Sequence, residues 1–151
     1  MNNIIDILKY PRLSILETLK DFSIEQLNAI PAGHNNNIAW NLGHMAATQQ
    51  TLCYLRAGVP MVLEEDFVNA YKGGTKPEKF IDEAEFERIK TYLFSPLDQF
   101  EKDLKTDLFN NYPTFTTRYG VEIKNIDNAL GFLGFHDGLH LGYIMSMRKL
   151  V

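Results

Sequence analysis

Two histidines four residues apart, His136 and His140, stand in the string Phe135-His136-Asp137-Gly138-Leu139-His140-Leu141-Gly142 near the C-terminus. On a helix this spacing puts both imidazoles on one face with Cβ atoms about 6 Å apart, so that two ring nitrogens can converge on a single metal ion. Buried imidazoles need partners for their nitrogens, and a shared metal supplies them. Taken alone, the pair is as compatible with two core histidines that each hydrogen-bond a neighbouring helix. The string also has the outline of the His-Glu-x-x-His helix of zinc proteases. Asp137, however, is one methylene shorter than the glutamate that acts as general base there, and the short stretch after His140 offers no third ligand, which disfavours a protease.

These rings must be positioned by the rest of a 151-residue chain with 45% hydrophobic content, enough for one sizeable core and an expected single domain over residues 1–151. Fifteen basic against 19 acidic side chains leave a net charge of −4. No Lys/Arg cluster is available to follow a phosphate backbone, so nucleic-acid binding is disfavoured. The start, Met1-Asn2-Asn3-Ile4-Ile5-Asp6, lacks a basic and then apolar leader, and no apolar run approaches the ~20 residues of a membrane span. A soluble, cytoplasmic protein is the expectation. The one cysteine, Cys53, has no intramolecular disulfide partner, fits a reducing compartment, and reads as a small core residue rather than a nucleophile.

The elements expected are helices. The first runs from about Asn3 to Phe22, with Ile4, Leu8, Ile15, Leu19 and Phe22 on one stripe and Pro11 either kinking it or marking its first turn. Ser23-Ile24-Glu25-Gln26 has the form of a capping box and opens a short helical turn closed by Pro31. A second long helix spans residues 37–57, capped within Asn35-Asn36-Asn37 and stopped by Gly58 and Pro60. Residues 58–81 are too rich in breakers for one element and suit a crossover, in which Glu65 to Ala70 coil briefly. The third long helix is introduced by Asp82-Glu83-Ala84-Glu85 and carries Phe86, Ile89, Leu93, Leu97, Phe100 and Leu104 at spacings of three and four. Pro96 predicts a bend near Ser95. Residues 106–124 read as a loop with some extended character, and a fourth helix runs from about Ile126 to Leu150. The fold class is therefore all-α, a four-helix bundle with a long crossover between its second and third helices.

In the fourth helix Ile126, Leu130, Leu133, His140, Ile144 and Met147 share a stripe from which His136 lies only about 40° away, so both histidines are expected to point inward. A third candidate ligand, His44, sits near the middle of the second helix, with Trp40 and Thr48 one turn away and Gly43 removing bulk beside it. The segment Asn37-Ile38-Ala39-Trp40-Asn41-Leu42-Gly43-His44 has the pattern Asn-x-x-Trp-x-x-Gly-His, and His136 to Gly142 has the pattern His-x-x-x-His-x-Gly. In order, and on the expected helices, the two motifs make the chain resemble the DinB-like (DinB/YfiT) family of metal-binding four-helix bundles over essentially its whole length.

The resemblance implies a metal site formed by His44, His136 and His140. Three imidazoles leave coordination positions open, as in catalytic rather than closed structural sites, and suit zinc, nickel or iron alike. Relatives include thiol-dependent S-transferases and a maleylpyruvate isomerase that use low-molecular-weight thiols such as bacillithiol or mycothiol. The implied function is accordingly a metal-dependent enzyme acting on a small molecule, of thiol S-transferase or hydrolase type, with a low-molecular-weight thiol as possible cosubstrate. The alternative is a non-enzymatic metal-binding or assembly domain in which the ion ties two helices together and a helix face pairs protomers as a homodimer. Asp137 is a candidate to orient a ligand or tune bound water from beside it; an ordinary carboxylate bonded to a neighbouring helix explains it equally. Trp40 and Tyr143 are candidate pocket walls, Arg118 a candidate anchor for an anionic substrate or thiol, and His34 reads as a solvated surface histidine.

Overall fold

The computed structural model describes residues 2–151, the side chains of residues 2 and 3 excepted; Met1, the first residue of the expected domain and of the leaderless start, lies outside them. Among the described residues the chain is mostly helical. The order is α1 (Asn2–Thr18), α2 (Ile24–Asn28), α3 (Ile38–Gln49), a π-helix (Gln50–Leu55), α4 (Glu65–Tyr71), α5 (Glu83–Tyr92), α6 (Ser95–Asp103), β1 (Phe115–Thr116), β2 (Glu122–Ile123) and α7 (Ile126–Met147).

Local chemistry accounts for most boundaries. Pro11 lies inside α1 rather than in its first turn, and the helix stops at Thr18, short of Phe22, in a series of turns. The Ser23 hydroxyl accepts from the Gln26 amide while the Gln26 side chain accepts from the Ser23 amide, a complete capping box that opens α2. The Asn37 side chain accepts from the Trp40 amide at 2.8 Å and starts α3. The expected third helix breaks at Phe94, and Pro96 sits in the first turn of the new helix α6, where its missing N–H has no partner to lose.

The second rod departs from the expectation of one regular helix. It begins as α3 and continues without a break as a π-helix, whose widened ring is closed by the Arg56 amide on the Thr51 carbonyl at 3.1 Å. Gly58, at φ +73°, ends the rod in the left-handed region that only glycine adopts without strain. Buried Gln50 accepts from the amides of Val62 and Leu63 and so pins the start of the crossover to this rod.

Helix α3 is buried almost all round, as an apolar helix without a polar face must be. It packs against α2, α4, α5 and α7, while α1 packs against α6 and α7. One part of the core gathers Ile38, Leu42, Met45, Phe67, Ile89 and Ile144 around α3. A second gathers Leu8, Tyr54, Leu97, Phe100, Leu130 and Leu133 towards the other end of the rods. The extended character expected in residues 106–124 is a short antiparallel pairing, Phe115 with Ile123 and Thr116 with Glu122. Its turn contains Arg118, Tyr119 and Gly120, the glycine at φ +79°. No helix among the described residues is long and apolar enough to cross a membrane.

Candidate metal centre

His44 owes its orientation to the residue before it. A Cβ at Gly43 would stand 2.6 Å from the Tyr71 ring, so only glycine lets the end of α4 lie this close to α3. That approach brings the Tyr71 carbonyl to 2.7 Å from His44 Nδ1. A carbonyl only accepts, so Nδ1 carries the hydrogen and Nε2 presents a lone pair on the opposite side of the ring. Trp40, one turn earlier, stacks on the imidazole with ring centroids 4.7 Å apart and planes 9° from parallel, fixing its tilt.

His140, on α7, is held in the same manner by Asn41 of α3. The Asn41 amide nitrogen donates to the Asn37 carbonyl at 2.7 Å and to Asn36 Oδ1 at 3.0 Å, which turns its own Oδ1 towards His140 Nδ1 at 2.8 Å. His140 therefore donates from Nδ1 and, like His44, keeps Nε2 free. His136 completes the group, with its Nε2 3.2 Å from His44 Nε2. One ring nitrogen from each of His44, His136 and His140 falls within 4.8 Å of the others.

The remaining nitrogen of His136 faces Asp137. His136 Nδ1 lies 4.0 Å from Asp137 Oδ1, and both atoms are buried without a hydrogen-bond partner. The other oxygen of Asp137 takes Nε of Arg12 at 2.8 Å and stands 2.8 Å from its Nη2. Arg12 is wholly buried, and its Nη1 donates to the Leu93 carbonyl at 2.6 Å, a group freed by the break between α5 and α6. Burial alone would raise the Asp137 carboxyl, but Arg12 and His136 outweigh it and hold the group below the usual carboxylate range.

His44 and His140 are in the neutral form a metal requires. Burial lowers His44 to about 4 against the raising effect of the Tyr71 carbonyl. Burial, with His136 and His44 beside it, lowers His140 to about 3. Both rings are neutral at physiological pH. The donor set fits a divalent cation, since two rings already spend Nδ1 on fixed acceptors. The third ring leaves an unpartnered nitrogen beside an unpartnered carboxylate oxygen, the pairing that orients a metal-binding histidine.

The centre is open on one side. His44, His136 and His140 line a cavity of about 700 Å³, whose walls also include Trp40, Tyr143 and Arg118. The expected stripe on α7 is present, with Leu130, Leu133, Ile144 and Met147 buried, but its two histidines face the opening. Asp137 joins the buried residues of that stripe, whereas His136 and His140 are only half-buried because they line the cavity. His34, expected in solvent, is half-buried on the cavity wall and lies outside the three-histidine group. Cys53 is fully buried and its thiol is pushed up by burial, which leaves it inert.

Sequence reasoning missed Asn41, the Tyr71 carbonyl, Arg12 and Arg56, the last of which also lines the cavity. A signal existed for two of them. Asn41 is three residues from His44 in a helix that is otherwise nearly all apolar, and Arg12 occupies a core position of the stripe between Leu8 and Ile15.

No curated protein matches the chain. The family model of the DinB superfamily matches residues 12–144, from Arg12 through the two histidines of α7. The chain therefore belongs to the DinB superfamily.

Proposed function

We propose that this chain is a metal-dependent enzyme of thiol S-transferase or hydrolase type. It would bind one divalent ion, zinc, nickel or iron, through His44, His136 and His140. The observation that carries the reading is the convergence of three ring nitrogens within 4.8 Å under an open cavity. A closed structural site would call for a fourth protein ligand. A divalent cation in such a site supplies Lewis acidity, which makes a water or thiol a nucleophile near neutral pH.

The chain's own residues do the rest. Tyr71 and Asn41 fix the rings of His44 and His140, Arg12 keeps Asp137 ionised beside His136, and Trp40 shields one face of His44 from water. The four helical stretches, α1, α3 with its π extension, α5 with α6, and α7, are read as one four-helix bundle domain with α4 in the crossover. A cytoplasmic setting belongs to the same proposal and rests on sequence alone.

Elemental analysis of the untagged protein tests the reading first. About one divalent ion per chain is expected for three imidazoles from two helices, and protein that is fully folded and metal-free, and stays so when offered zinc, nickel and iron, refutes it. A screen of thiol nucleophiles against electrophiles with metal-loaded protein then separates transferase from hydrolase. Turnover without thiol assigns hydrolysis, and no turnover in either arm removes the enzymatic part.

A further inference from the structure

The cavity above the histidines differs in charge from the rest of the molecule. The chain carries 19 acidic against 15 basic side chains, yet among the described residues no aspartate or glutamate lines this cavity, and Arg56 and Arg118 do. The two arginines come from different segments, and each is placed by a residue of one hairpin. Arg56 follows the π-helix and lays its guanidinium over the Phe115 ring of β1, 3.7 Å from the centroid. Arg118 stands in the turn after β1, over the ring of Tyr119, with Nη2 2.7 Å from the tyrosine hydroxyl.

Neither has a carboxylate partner among the described residues, in contrast to Arg12 and Arg88, which are ion-paired. Cation–π contact with a ring, and for Arg118 one hydrogen bond to the tyrosine hydroxyl, restrains each guanidinium while leaving most of its donors unused, which lowers the entropy lost when an anion is gripped. An unpaired, preset guanidinium at the wall of a cavity is suited to a bidentate oxyanion.

We infer that the cavity takes a small molecule carrying an oxyanion group, carboxylate or phosphate, which Arg56 and Arg118 bind while the remainder of the molecule reaches the histidine centre. The inference deepens the function proposed above and rests on it for that second contact. Arg56 and Arg118 then select anionic substrates or cosubstrates over neutral ones of the same shape, and the hairpin that carries Phe115 and Arg118 is a specificity element.

Isothermal titration calorimetry of the intact protein at low salt, as purified and after chelation, tests this with succinate, inorganic phosphate and uncharged succinamide. One site per chain is expected for succinate or phosphate, the tighter of the two identifying the group, and no binding for succinamide. Arg56→Gln and Arg118→Gln should each weaken the anion roughly ten-fold or more, the loss expected for a charge-assisted hydrogen-bonded pair, and Arg88→Gln should leave it unchanged. Both side chains in question are exposed, so the variants keep the fold, which circular dichroism checks.

Failure of both anions to bind, equal binding of succinamide, or binding that persists in both arginine variants overturns the inference. The last outcome would mean that the anion sits on the metal alone. Arginine-dependent binding in chelated protein, or in His136→Ala protein, leaves this inference standing even if elemental analysis finds no ion. Metal-replete protein that ignores both anions removes this inference and leaves the metal reading intact.

Discussion

Arg12 Nε lies 2.8 Å from Asp137 Oδ2 across 125 residues of sequence, in an ion pair with almost no solvent contact. This pair links α1 to the residue that follows the first metal-ligand candidate of α7, and through Nη1 of Arg12 it also reaches the break between α5 and α6. It is thus the joint at which three helical rods meet behind the histidine centre.

Removing one partner of a buried pair leaves the other charge uncompensated. Arg12→Met should therefore destabilise the protein by about 3–5 kcal/mol, and the double variant Arg12→Met/Asp137→Asn by less than the sum of the two single changes. Urea denaturation of the four proteins in the cycle measures this. A single-variant cost below about 1 kcal/mol would mean that water reaches the pair.

The second prediction concerns ligation. His44→Ala, His136→Ala and His140→Ala should each strip the ion from purified protein, while His34→Ala keeps it. Asn41→Leu retains all three imidazoles but removes the acceptor of His140 Nδ1, and should weaken metal affinity by about 10- to 100-fold. Elemental analysis and competition with a chromophoric chelator read these outcomes. Equal retention in all five variants refutes the assignment.

A third concerns Gly43. Alanine in place of a helical glycine normally stabilises by up to about 1 kcal/mol. Here the added Cβ would meet the Tyr71 ring at 2.6 Å, so Gly43→Ala should instead cost about 1–3 kcal/mol. It should also lower metal affinity by displacing the Tyr71 carbonyl from His44. Thermal unfolding and metal titration of the same sample test both effects, and an unchanged or raised melting temperature contradicts them.

The fourth concerns pH. An ordinary histidine competes with metal for protons near pH 6.5, but His44 and His140 are lowered to about 4 and about 3. In metal-free protein the unfolded chain takes up protons on these rings below about pH 6.5, while the folded chain does so only near those lower values. Stability should consequently fall as pH drops from about 6.5, and the contribution of His44, on the order of 3 kcal/mol, levels off below about pH 4. Urea midpoints of the chelated protein across this range, with ring resonances followed by NMR, check the sign. Ring titrations near pH 6.5 would show that the two imidazoles are solvated.

Much of this protein was legible in its local sequence, because caps and breaks depend on residues within one turn of each other. The Ser23–Gln26 box and the Asn37 cap fall where side-chain chemistry puts them, and Pro96, expected to bend one helix near Ser95, divides it in two there. The grouping of the three histidines was legible as well, two of them from their helical spacing and His44 from the resemblance its segment suggested. Tertiary structure alone decided what orients those rings. That Asp137 finds Arg12 in the core while His136 and His140 line the cavity depends on what α1 and α3 present to α7, and no periodicity within α7 contains that. The π-helix that follows α3, the Tyr71 carbonyl against His44 and the hairpin that carries Arg118 to the cavity wall likewise depend on contacts between segments far apart in the chain. Sequence by itself thus determined which atoms are available as ligands. Packing decided which of their nitrogens are left free, because a ring nitrogen is assigned by the partner that its opposite nitrogen finds.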